Sequence, residues 1–155
     1  MEAVYIETSI LSYLTAKANR DLIVVAHQEI TKEWWETRNR FELFVSEVVL
    51  NEISLGDPDA AKRRIDVITG IPLLELTKES RNFAHKLIRL NLVPEKALAD
   101  ALHIAIAATT GMNYLLTWNC KHIANAITRP KIENLCRDME ITPPVICTPE
   151  ELLEI

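Results

Sequence analysis

Cysteine is scarce and badly placed for cross-linking: Cys120, Cys136 and Cys147 are odd in number and form no CxxC spacing. This argues against a disulfide framework and a zinc knuckle, and it favours a reducing compartment, expected to be the cytoplasm. An excess of basic charge is also missing. Seventeen Lys and Arg stand against 22 Asp and Glu, giving a net charge of −5 and a pI of about 5.4. Proteins that wrap a duplex by neutralising phosphates carry a basic face, so any nucleic-acid contact here must be local or metal-mediated. The opening segment, MEAVYIETSILSYL, holds Glu2 and Glu7 and no basic residue, so it does not read as a signal peptide. Internal repeats, low-complexity tracts and linker-like stretches are absent too.

One uncharged run needs explaining. Ala101 to Cys120 contains no Asp, Glu, Lys or Arg and is long enough to cross a bilayer. It also holds His103, Thr109, Thr110, Asn113, Thr117 and Asn119, with Gly111 in its middle. Two buried elements joined by a turn account for it better, and no membrane partner is expected.

What remains is a globular composition, 155 residues with 48% apolar and 25% charged side chains. A single domain over residues 1–155 is expected, large enough to hold a core without staples. Short apolar runs at Ala3–Ile6, Phe41–Val45, Ile71–Leu76, Asn113–Thr117 and Val145–Cys147 predict strands. Helices are predicted between them: Ile10–Thr15, Asp21 to about Asn39, Ser46 to Gly56, Asp57 to about Thr69, Thr77 to Leu90, and Pro94 to near Gly111. Helical pieces at Ile123–Asn125 and Ile132–Met139 are expected to be separated by Pro130, with a last turn at Pro149–Leu153. The strands do not alternate polar and apolar residues, as in a parallel sheet covered on both faces. The fold class is therefore α/β, three layers α/β/α around a short, mostly parallel sheet.

In such a sheet, ligands bind at the carboxyl ends of the strands, near the point where strand order reverses. Glu7 directly follows the first strand and Asn119 lies just past the fourth. Glu52 sits in the helix after the second strand, and Asp100 in the helix before the fourth. Carboxylates gathered together repel unless a cation compensates, and Mg²⁺ or Mn²⁺ suits such oxygen ligands. The chemistry this points to is metal-dependent phosphodiester hydrolysis.

Each residue also has a plainer reading. Asp100 can be a favourable charge at a helix N-terminus, Glu52 a solvated helix residue, and Asn119 a turn residue. His103, on an apolar helix, reads as a satisfied core residue and is left out of the site. The Trp34-Trp35 pair reads as core or dimer contact. Lys62-Arg63-Arg64 reads as a solvated face, whereas Lys121, Arg129 and Lys131 are better candidates for contact with nucleic-acid phosphates.

Four segments carry a resemblance: Tyr5-Ile6-Glu7-Thr8-Ser9-Ile10-Leu11, Ser46-Glu47-Val48-Val49-Leu50-Asn51-Glu52-Ile53, Ala99-Asp100-Ala101-Leu102-His103-Ile104-Ala105 and Leu115-Leu116-Thr117-Trp118-Asn119. In this order and at these distances they resemble the PIN-domain family, in particular the VapC-like ribonuclease toxins of toxin–antitoxin pairs. The resemblance implies that Glu7, Glu52, Asp100 and Asn119 form the catalytic cluster. Glu7, Glu52 and Asp100 would hold Mg²⁺ or Mn²⁺, with Ser9 supporting and Thr117 beside it. It also implies an RNA substrate, a cognate antitoxin and a homodimer. The chain departs from the family pattern at two positions, with Glu7 where Asp is usual and Asn119 where a fourth Asp is usual. Three formal charges instead of four should weaken a second metal more than the first. They also leave room for a catalytically weak or inactive PIN-fold module that binds RNA or a protein partner.

Overall fold

The computed structural model describes residues 1–154. Five short strands, β1 (Ala3–Ile6), β2 (Glu42–Ser46), β3 (Leu73–Leu74), β4 (Tyr114–Leu116) and β5 (Val145–Cys147), form one sheet in the order β3-β2-β1-β4-β5. All four pairings are parallel. The helices are α1 (Thr8–Thr15), α2 (Leu22–Glu36), α3 (Glu47–Ile53), α4 (Pro58–Ile68), α5 (Lys78–Arg89), α6 (Leu98–Thr109) and α7 (Arg129–Asp138). From β1 the chain steps outward to β2 and β3, then returns to the other side of β1 to lay down β4 and β5. Right-handed crossovers put the helices of these two halves on opposite faces of the sheet. Strand order therefore reverses between β1 and β4.

Local chemistry sets most boundaries. Asp21 accepts the Ile23 and Val24 amides to cap α2, Ser46 accepts Val49 N to cap α3, and Asp57 accepts Ala60 N to cap α4. Thr77 and Ser80 form a reciprocal capping box on α5. Such caps contribute about 1 kcal/mol each. The centre of the sheet is sealed on both faces: Val4, Tyr5, Ile6, Leu115 and Leu116 have no exposed surface, and neither do Ile104, Ala105 and Ile106 of α6.

Three expectations need correction. The third strand has two residues, not six. Pro72 has no N–H for the ladder, and the Leu76 amide turns to the Glu47 carboxylate at 2.7 Å. Pro130 does not separate two helical pieces. It lies in the first turn of α7, where a missing N–H costs nothing, and residues 123–125 are not helical. The first helix starts at Thr8, because Glu7 already serves as its N-cap residue.

No helix among the described residues is long and apolar enough to cross a membrane. The uncharged run resolves into α6, a turn at Gly111 with φ of +74°, and β4.

Candidate active site

Glu7 stands where the backbone leaves β1, and its amide still reaches the Leu116 carbonyl at 3.1 Å. Its side chain does not cap α1 but turns toward the end of β4. There the Thr117 hydroxyl donates to Glu7 Oε1 at 2.6 Å, and the Ser9 hydroxyl donates to the same oxygen. Ser9 Oγ in turn accepts the Trp118 amide at 2.8 Å. Glu7 is only 5% exposed. Both hydroxyls that the sequence placed in support of the site thus converge on one carboxylate oxygen.

Glu52, on α3, reaches the same place from the β2 side. Its Oε1 accepts the Thr8 hydroxyl at 2.6 Å and meets His103 Nε2 at 2.5 Å. The Glu52 side chain as a whole keeps 33% of its surface exposed. Burial raises the pKa of this carboxyl, but hydrogen bonds from His103 and Thr8 outweigh that and hold it below the ordinary value. One ligand atom from each of Glu7, Glu52 and His103 falls within 4.8 Å of the others.

The sequence pattern reads His103 as a core residue outside the site. It is fully buried and bonded at both ring nitrogens, with Tyr5 Oη 2.7 Å from Nδ1, yet its Nε2 edge borders the two carboxylates. The sequence signal was its spacing, three residues after Asp100 on the same helix, which brings both to one side of α6. Tyr5, on β1, continues the chain of contacts to Ser46 Oγ at 2.7 Å. Burial pushes the Tyr5 phenol well above its ordinary pKa, so it stays protonated.

Asp100 and Asn119 take another course. Asp100, in the first turn of α6, binds His122 Nδ1 through Oδ2 at 2.9 Å and lies outside the 4.8 Å group. Asn119 Oδ1 accepts the His122 amide at 3.0 Å, and its carbonyl accepts those of Ile123 and Ala124. Asn119 thus orders the turn that presents His122 to Asp100. No sequence pattern singles out His122.

The donor set fits a hard divalent cation. Oε2 of Glu7 and Oε2 of Glu52 take no hydrogen bond among the described residues, while each Oε1 is held by two groups. Two preoriented carboxylates with one free oxygen apiece suit Mg²⁺ or Mn²⁺ with waters completing the shell.

Of the basic residues, Lys121 and Lys131 are exposed. Arg129 is partly committed to the fold, donating to the Ile146 carbonyl at 3.0 Å and lying 3.8 Å from Glu151. Arg64 donates to the Ile53 and Leu55 carbonyls and so fastens the α3–α4 connection, while Lys62 pairs with Asp66 at the surface. Trp34 is buried and Trp35 half-buried.

Neither a protein-family profile nor a curated protein matches the sequence. The structure does have relatives. It is similar to VapC20 of Mycobacterium tuberculosis, a sarcin-ricin loop cleaving toxin, with a TM-score of 0.61 at 16% identity over 77% of this chain and 92% of that one. It is also similar to VapBC2 from Rickettsia felis bound to a DNA fragment from their promoter, with a TM-score of 0.53 at 15% identity over 94% and 98% of the two chains. At such identities the likeness speaks to fold. The chain thus shares the fold of these two VapC-type structures.

Proposed function

We propose that this chain is a divalent-metal-dependent endoribonuclease, a single domain over residues 1–155, and the toxin of a toxin–antitoxin pair. The observation that carries the reading is the meeting of Glu7 and Glu52 where strand order reverses, the ligand position in open parallel sheets. The neighbouring structures, a sarcin-ricin loop cleaving toxin and a VapBC complex, support a structured RNA as substrate and an antitoxin as partner. A homodimer and a cytoplasmic setting complete the proposal.

Mg²⁺ or Mn²⁺ is the proposed cofactor, held by Glu7, Glu52 and Asp100, with Asn119 contributing an amide oxygen or a bound water. A divalent ion so held supplies Lewis-acid activation of water and neutralises charge on the phosphodiester. Ser9 and Thr117 fix Glu7 through Oε1 and leave Oε2 for the ion. Glu52 is fixed in the same way by Thr8 and His103. Asp100 enters the ligand set by sharing or giving up its bond to His122. Lys121, Arg129 and Lys131 are the proposed contacts to RNA phosphates. Attack of water on phosphorus breaks the P–O3′ bond, leaving a 5′-phosphate and a 3′-hydroxyl.

A second reading, a weak or inactive PIN-fold module, draws support from the commitments of Asp100 and Asn119 to His122. Cleavage of structured RNA with Mn²⁺, with and without chelator, beside an Asp100→Asn variant separates the two. Chelator-sensitive cleavage that the variant lacks supports the nuclease. No cleavage, with no Mn²⁺ binding by calorimetry at millimolar ion, supports the module.

A further inference from the structure

Behind the His103–Glu52 contact lies a buried polar line whose further members, Tyr5 and Ser46, the proposed chemistry does not use. Val49 N–H donates to Ser46 Oγ at 3.3 Å, Ser46 Oγ lies 2.7 Å from Tyr5 Oη, and Tyr5 Oη lies 2.7 Å from His103 Nδ1. His103 Nε2 then meets Glu52 Oε1 at 2.5 Å, and Thr8 Oγ1 donates to that oxygen from the other side at 2.6 Å. Ser46, Tyr5 and His103 have no exposed surface, so water does not complete their hydrogen bonding.

Counting donors and acceptors fixes the direction of the line. Ser46 Oγ already receives the Val49 amide, so its own proton needs an acceptor, and among the described residues only Tyr5 Oη offers one. Tyr5 must then give its proton to His103 Nδ1, which therefore carries none. The ring proton is left on Nε2, facing Glu52. The reverse order, with both ring nitrogens protonated and Tyr5 donating to Ser46, leaves the Ser46 proton buried without an acceptor, and such groups are rare in folded proteins. One assignment satisfies every group.

Resting on the nuclease reading above, we propose that Ser46, Tyr5 and His103 form a positioning relay that aims Glu52 at the metal, with His103 as a hydrogen-bond donor to Glu52 and not a metal ligand. The relay pins Oε1 and so sets where Oε2 points. Each member is anchored in a different element, β1, α6 and the β2–α3 junction, so the carboxylate is referenced to the rigid sheet and not to its own short helix. Removing such supporting groups typically weakens metal affinity or activity by roughly 10–100-fold.

The direct test is the ¹⁵N spectrum of the His103 ring in the unmodified protein, alongside Mn²⁺ affinity and RNA cleavage for Tyr5→Phe, His103→Gln and His103→Leu. The relay requires a bare Nδ1 and a protonated Nε2. It also requires Mn²⁺ affinity and kcat to fall by roughly tenfold or more in Tyr5→Phe with KM little changed. His103→Gln, which keeps an N–H for Glu52, should retain most of the Mn²⁺ affinity that His103→Leu loses. A ring protonated at both nitrogens, unchanged Mn²⁺ affinity in Tyr5→Phe, or equal loss in Gln and Leu variants, as a true ligand would give, overturns the relay. Should the parent protein bind Mn²⁺ yet cut no RNA, the nuclease reading fails while the spectrum and the affinities still judge the relay.

Discussion

Thr117 Oγ1 donates to Glu7 Oε1 at 2.6 Å across the seam between β1 and β4, where strand order reverses. The same hydroxyl oxygen accepts the Asn119 amide at 2.9 Å. One threonine thus ties the first carboxylate to the start of the turn that carries His122. Thr117→Val keeps the shape and removes both bonds. The expected cost is about 1–3 kcal/mol in urea unfolding, because the Asn119 amide loses its acceptor and Glu7 Oε1 loses one of its two donors. Mn²⁺ affinity is expected to fall by roughly tenfold in the same variant. A variant with parental unfolding and parental affinity would show that this hydroxyl holds nothing in place.

His122 is the sole side-chain partner of Asp100 among the described residues. His122→Ala frees that carboxylate, and with three carboxylates available to the ion, Mn²⁺ binding measured by calorimetry is expected to tighten. Weaker binding in this variant would mean that His122 belongs to the ligand set or orders it.

Glu52 sets an acid limit on stability. Its carboxyl ionises below the ordinary value of 4.5 in the folded protein. Its stabilising contribution is therefore complete above that value and is lost as pH falls through the lower folded pKa. Thermal melts of parent and Glu52→Gln should keep a constant gap above pH 4.5 and converge below it. A gap that widens on acidification contradicts the sign.

The thiols should separate by exposure. Burial pushes Cys136 up to about 11 and Cys147 up to about 12, while Cys120 is exposed. Iodoacetamide at pH 8 is expected to modify Cys120 alone in the folded protein, as read by peptide mass, because the thiolate is the reactive form. Modification of Cys147 at a comparable rate would mean that the β5 edge opens.

The aromatic core offers a stability control away from the chemistry. Trp34 is fully buried and stacks near-parallel on Phe41 at 6.0 Å between centroids. Trp34→Ala should cost about 3–5 kcal/mol by urea unfolding, and a loss under 1 kcal/mol would mean the site collapses to refill the space.

Much of this architecture is local and therefore readable in the chain. Capping side chains at Asp21, Ser46, Asp57 and Thr77 announce α2 to α5, because each bonds an amide two or three residues away. Unalternating apolar runs announce strands covered on both faces, and Glu7 is legible as the residue where the first of them ends. Pro72 and Pro130 are not readable in this local way. The same missing N–H holds back the start of a strand at one position and suits the first turn of a helix at the other, and only the neighbours decide which.

What only the tertiary structure decided is which polar atoms meet. Glu52 and His103 are 51 positions apart, and Tyr5 and His103 are 98 apart. No local pattern reports a hydrogen bond between such residues, since it exists only once the sheet sets α3 and α6 side by side at its carboxyl edge. The sequence alone leads one to expect Glu7, Glu52, Asp100 and Asn119 at that edge. Packing determined that Glu7 and Glu52 come together, that Asp100 faces His122, and that a histidine read as core stands beside the carboxylates.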